Sequence, residues 1–163
     1  MYFLVLRMVY VVYLIHQICV ESIFMTGGFF MEPSVYDLTY NDLNPRFLFC
    51  CNLLRTEPEM NYHCHDFIEF VLILKGKTTF RIDEKLYDVE EGSVILLNPG
   101  TYHQSLPAAG TSAREVYLAF SNVEFTGCTR GHFPLFKNYQ LLATLPDSYK
   151  EPLFLLCNLM EQE

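Results

Sequence analysis

Two histidines and a glutamate carry the first chemical signal in this chain. His63, His65 and Glu69 stand at spacings 0, +2 and +6 in the stretch Tyr62-His63-Cys64-His65-Asp66-Phe67-Ile68-Glu69. It runs on as Phe70-Val71-Leu72-Ile73-Leu74-Lys75 and stops at Gly76. Side chains alternate between the faces of a β-strand, so an unbroken strand brings all three groups to one side and turns Cys64 to the other. Imidazole nitrogens and a carboxylate oxygen converging from a rigid element can hold a divalent metal. The same groups can instead line a small-molecule pocket through hydrogen bonds, or form a satisfied polar patch in a core.

The elements around this stretch read as strands. Residues 46–54 (RFLFCCNLL) form a strongly apolar candidate strand. After Gly76, residues 78–82 alternate, Asp83-Glu84 makes a hairpin turn, and 86–89 return. Glu90-Glu91-Gly92 is a second turn, 93–97 (SVILL) a strand, and Asn98-Pro99-Gly100 a tight turn that delivers Tyr102 and His103. A small-residue loop at 107–112 leads into a strand at 115–121. Short strands between Gly and Pro turns, with no long helical period, mean an all-β sandwich or barrel. Gly76, Gly92 and Gly100 read as turn glycines.

The C-terminal end changes period. Leu153, Leu156, Cys157 and Met160 fall at i, i+3, i+4 and i+7, which is helical. Its start is either a capping box at Ser148-x-x-Glu151 or Pro152 as the first helical residue. Phe154, Leu155 and Leu159 widen the apolar surface, so the helix needs cover from the barrel on one side and a partner subunit on the other. The chain stops at Glu161-Gln162-Glu163, close to the end of that helix, which reads as a cut through a longer protein.

At 163 residues the chain suits one domain. Its 14 Phe and 11 Tyr fit a β-rich core. A net charge of −8 with only 11 Lys and Arg argues against nucleic-acid binding by this chain alone. The six cysteines include no CxxC pair and read as reduced, mostly buried thiols of a cytoplasmic protein. Residues 1–30 are apolar but broken by Arg7, His16 and Gln17, and read first as an upstream leader, with a membrane or signal segment and a structured arm as the alternatives. The soluble domain starts at Met31. The expected layout is a leader at 1–30, a barrel at 31–145 and the start of a helix at 146–163. No Ser-His-Asp arrangement or phosphate-binding glycine loop is present. Arg81 and Arg114 read as solvated surface arginines.

Two stretches together resemble the cupin superfamily. The first cupin motif, G-x5-H-x-H-x3,4-E-x6-G, is matched by His63, His65, Glu69 and Gly76, with Glu57 in place of the leading glycine. The second, G-x5-P-x-G-x2-H-x3-N, is matched by Gly92, Gly100 and His103. Its proline is displaced to Pro99, and Pro107 replaces the final asparagine. Within the superfamily the chain looks most like the N-terminal sensor domain of AraC-type transcription regulators, closely over 60–125 and in outline over 31–160.

That resemblance implies a double-stranded β-helix, or jelly-roll, barrel with one or two C-terminal helices. It adds His103 to His63, His65 and Glu69 as the ligands of one divalent ion (Zn, Mn, Fe or Ni), or as metal-free pocket lining. Phe80, Ile82, Leu96 and Tyr102 are the expected pocket residues. A small-molecule effector (a sugar or another metabolite), a homodimer, and DNA contact only through a missing C-terminal domain are the implied partners. A membrane is not among them. A stand-alone metal-dependent cupin enzyme, a dioxygenase or isomerase, is the alternative to this non-enzymatic role.

Overall fold

The structure is a computed structural model that describes residues 43–123, 129–132, 139–142, 145 and 147–161. The leader at 1–30, Cys19 and Cys128 lie outside these residues. In chain order the elements are β1 (Leu43–Arg55), β2 (Ile68–Ile82), β3 (Lys85–Glu90), β4 (Val94–Leu97), β5 (His103–Leu106), β6 (Ala113–Val123), β7 (Tyr139–Leu142) and α1 (Asp147–Glu161). Every strand pair is antiparallel. The all-β class with a C-terminal helix is therefore what forms.

The long strand β2 belongs to two sheets. Its first half lies between β6 and β4 in the order β1-β6-β2-β4-β7, and its second half pairs with β3 and β5. The change of sheet follows an irregularity in register between Ile73 and Lys75. Such an irregularity bends a strand and increases its twist.

Alternation then sorts the side chains of the larger sheet into two cores. Ile68, Phe70 and Leu72 of β2 join Val94 and Leu96 of β4 and Val116, Leu118 and Phe120 of β6 on one face. Leu153 and Cys157 of α1 cover that face. Val71 and Ile73 join Ile95, Leu97 and Tyr117 on the other face, against Phe80, Ile82 and Val89 of the smaller sheet. Both faces are thus buried, which explains why β2 is buried without a break from Ile68 to Ile73. Burying each large apolar side chain contributes roughly 1.5–3 kcal/mol.

Several expectations change. The stretch from Tyr62 to Gly76 is not one strand. His63 forms an isolated bridge to His103, a bend follows, and β2 begins only at Ile68. Nor does the strand end at Gly76, because β2 continues to Ile82 and merges two expected strands. Cys64 is only partly buried and lies outside any strand. Cys50 and Cys51 are also partly buried, and Cys157 is buried. Pro152 lies inside α1 rather than at its start. The four-residue β7 has no counterpart in the sequence reading. The Asp83-Glu84 turn forms as expected, with positive φ at both residues (44° and 68°), the geometry of a tight hairpin.

Gly76 is required where the strand changes sheets. Its φ is +81°, and an added Cβ would lie 2.2 Å from the Ser112 carbonyl oxygen. Gly100 has a similar φ of +80°, with nothing within 4 Å of an added Cβ. Gly100→Ala should therefore cost about 1 kcal/mol, the left-handed penalty alone. Gly76→Ala must also push apart two paired strands, and should cost roughly 3 kcal/mol or more. Urea unfolding of the two variants checks this, and equal losses would contradict the steric account.

Candidate metal and effector site

Three separate segments deliver the polar cluster. Glu69 is the second residue of β2, on the face shared with Val71 and Ile73, and is only 4% exposed. His103 opens β5, opposite Ile82, and is fully buried. His65 sits in the bend before β2, held by a Gly100 N–H bond to its carbonyl at 2.8 Å. His63 and His103 exchange backbone hydrogen bonds at 3.1 and 2.8 Å, which fixes the 59–65 segment along β5.

The imidazoles are oriented from behind. His65 Nδ1 donates to the Phe67 carbonyl at 2.9 Å, and His103 Nδ1 donates to the Thr101 carbonyl at 2.9 Å. A carbonyl can only accept, so each ring carries its proton on Nδ1 and, when neutral, presents a lone pair at Nε2. The Phe67 ring also stacks on His65 at 3.8 Å, tilted by 3°. Outer contacts of this kind set the tautomer and direction of metal-ligating histidines.

The front of the cluster is unsatisfied. Glu69 Oε2 lies 3.1 Å from His103 Nε2 and 3.4 Å from His65 Nε2, with ligand atoms of all three residues within 4.8 Å of one another. These approaches allow ionic attraction but are not aligned as hydrogen bonds, and all three atoms are buried without a hydrogen-bond partner. Buried polar atoms normally have partners. Three that crowd one small volume fit a shared cation, so the donor set suits a divalent metal.

Of the four sequence-derived candidates, three thus form a compact set. His63 stands beside it, its ring centroid 4.5 Å from that of His103 and 6.1 Å from that of His65. Its Nδ1 donates to the Asn61 carbonyl at 3.1 Å. Phe80 and Ile82 are fully buried in the core between the sheets, on the side of Glu69. Leu96 is a correction, because it points to the α1 side of β4 and belongs to the other core. Strand phase decides this, and Leu97 occupies the inward position instead. Tyr102 is a second correction. It is 48% exposed, packs its ring against Tyr62 at 5.4 Å with a tilt of 42°, and lines an outer cleft of about 390 Å³ with Asp83 and Glu84.

A second polar group went unread in the sequence. Glu115 is fully buried, and accepts from Ser105 Oγ at 2.7 Å, Tyr117 OH at 2.5 Å and Arg55 Nε at 3.3 Å. Burial and the facing carboxylate push the Tyr117 hydroxyl far above its ordinary range, so it stays a donor. The available signal was a glutamate two residues before an inward tyrosine on an otherwise apolar strand. Arg81 is not plainly solvated either, since it pairs with Glu84 and lies 4.2 Å over the Tyr62 ring. Arg114 donates to Asn52 at 3.0 Å on the surface.

Burial opposes charge on Glu69, yet its contacts with His103 and then His65 outweigh this and hold its carboxyl below the ordinary value of 4.5. Burial likewise opposes charge on His103, but Glu69 raises it above its ordinary 6.5. A depressed carboxyl loses its contribution as pH falls through its folded value, and a raised imidazole loses its own as pH rises through its folded value. In chelator-treated protein, the stability lost on Glu69→Gln should be greatest between about pH 4.5 and 6.5 and shrink on either side. Urea titrations of both proteins across that range are the check, and a flat difference would show that the pair carries no charge coupling.

The family described as the AraC-like ligand binding domain matches residues 49–157. Over 59 residues the chain is 39% identical to the uncharacterized HTH-type transcriptional regulator YdeC of Bacillus subtilis (strain 168), covering 36% of this chain and 20% of that protein. The match thus spans about a fifth of that relative. Unsaturated fatty acid-bound wild-type ToxT from Vibrio cholerae shares the fold, with a TM-score of 0.50 and 16% identity over 74% of this chain and 48% of that one. YhaK from Escherichia coli gives 0.46 and 17% over 72% of this chain and 48% of its own. A cupin protein from Bacteroides fragilis gives 0.39 and 17% over 54% and 75%. No helix among the described residues is long and apolar enough to cross a membrane. With two thirds of its length matched, from β1 into α1, the chain belongs to the AraC-like ligand-binding domain family.

Proposed function

We propose that this chain is the small-molecule-sensing and dimerisation domain of an AraC-type transcription regulator, acting in the cytoplasm through a helix-turn-helix half outside these residues. The observation that carries the reading is the reach of the family match, which takes in the barrel strands and most of α1. A sugar or another metabolite enters the barrel beside Glu69, Phe80 and Ile82. Its binding shifts α1 and with it the placement of the attached DNA-binding halves. Such a response requires different affinities for two arrangements of the protein.

Residues of α1 pack inward through Leu153 and Cys157, while Leu155 is 60% exposed. That outward side is the proposed homodimer contact. Static light scattering should give twice the chain mass, with Leu155→Glu shifting the population toward monomer. A wild-type monomer at high concentration would remove α1 from the interface.

His65, Glu69 and His103 would hold a divalent ion, with the His63 ring beside them. An ion bound there would supply Lewis-acid charge. The orphaned trio also supports a second reading, a metal-dependent cupin enzyme of the dioxygenase or isomerase type. For the metal, cobalt(II) titration followed by its visible spectrum should show one site per chain. His103→Ala and Glu69→Gln should abolish it, whereas His63→Ala should weaken it by about tenfold, as expected of a group outside the inner set. Binding that survives His103→Ala would rule the site out. Oxygen uptake by the iron(II)-loaded chain would favour the enzyme.

A further inference from the structure

Ser105 lies two residues along β5 from His103. We infer that Arg55 and the Ser105 backbone N–H form a receptor for an organic carboxylate, in which the Glu59 carboxylate is a resident stand-in. The inference rests on the sensor reading and names the chemical class that the sensor takes.

Arg55 ends β1 and reaches Glu115 at 3.3 Å, the Tyr117 hydroxyl at 3.4 Å and Glu59 Oε1 at 3.5 Å. None of these contacts is short, and Nη1 makes no hydrogen bond among the described residues. Guanidinium is a planar fork suited to two parallel bonds with one carboxylate. Here its contacts are spread over three groups instead. The inner partner, Glu115, is fully buried and held by three donors, so it is a fixed counter-charge.

Glu59 is different. It lies in the segment between β1 and β2, and its side chain and that of Arg55 are 20% and 18% exposed. Its Oε2 accepts the Ser105 backbone N–H at 3.2 Å, where a neighbouring strand would offer a carbonyl. Arg55 with Glu115 is already neutral, so Glu59 adds one surplus negative charge. A carboxylate that replaces it leaves the total charge unchanged and releases Glu59 to water. Neither an amine nor a neutral alcohol can make that exchange. The Glu59 segment also carries His63 and His65, and its backbone is tied to β5 at Ser105 and His103. Displacing the Glu59 side chain removes one tie between that segment and β5 and leaves the backbone bonds in place.

Calorimetric titration of the chain with sodium hexanoate and sodium benzoate, against hexylamine and hexanol, tests the inference. Both carboxylates should bind and both controls should not. Glu59→Gln should bind carboxylate about tenfold more tightly, because the competing charge is gone. Arg55→Lys keeps a cation opposite Glu115 but loses the fork, and should bind about tenfold less tightly, one charge-assisted bond's worth. The Ser105 amide resonance should move on addition of carboxylate, a readout that does not need the arginine variant to fold. Carboxylates that fail to bind, or bind equally to all three proteins, overturn the site. A sugar that binds while the carboxylates do not would sink this inference and leave the sensor reading standing.

Discussion

Everything in the barrel depends on one close approach, the passage of Gly76 against the Ser112 carbonyl. There β2 leaves one sheet and enters the other, and the left-handed backbone has no room for a side chain. Because the crossing is tight, the halves of β2 are locked in register with four other strands. That register puts Glu69 near one end of the interior and Phe80 and Ile82 across from it. It also fixes β5 against the second half of β2, so His103 arrives opposite Ile82 rather than a residue to either side. A one-residue slip would turn each inward group outward.

The polar interior is divided by how its charges are balanced. The Glu115 group is closed, with every oxygen of the carboxylate taken by a donor. The Glu69 group is open, with three buried atoms facing one another and no aligned bond between them. A satisfied network stiffens a fold, whereas an unsatisfied one calls for a proton, a cation or a ligand. The barrel thus combines a rigid polar anchor at β6 and an incomplete one at β2 and β5.

Much of this was legible in the sequence because its signals are local. The hairpin at Asp83-Glu84, the turns at Gly92 and Gly100, and the apolar runs needed only period and turn chemistry. His65, Glu69 and His103 were visible as a motif whose spacing survives in one chain. The pieces that escaped depend on distant partners. The break between His65 and Ile68 comes from His63 pairing with His103, some forty residues away, which no local pattern encodes. A fully apolar strand hides its phase when both faces are buried, so nothing local marks Leu96 as facing away from the pocket. Arg55 and Glu115 looked ordinary because their meaning lies in a contact sixty residues apart.

The two-faced burial of the larger sheet has a mechanical consequence. Each of β2, β4 and β6 carries odd-numbered side chains or even-numbered ones into different cores, so every strand is a thin partition loaded from both sides. Interiors packed to crystal density leave little slack. Pressure on Val71 or Tyr117 cannot be absorbed locally without displacing Phe70, Leu72 or Leu118 next to them in the chain. Those residues press on the layer that includes Leu153 and Cys157. A load on one core would thus reach the other through the partition itself.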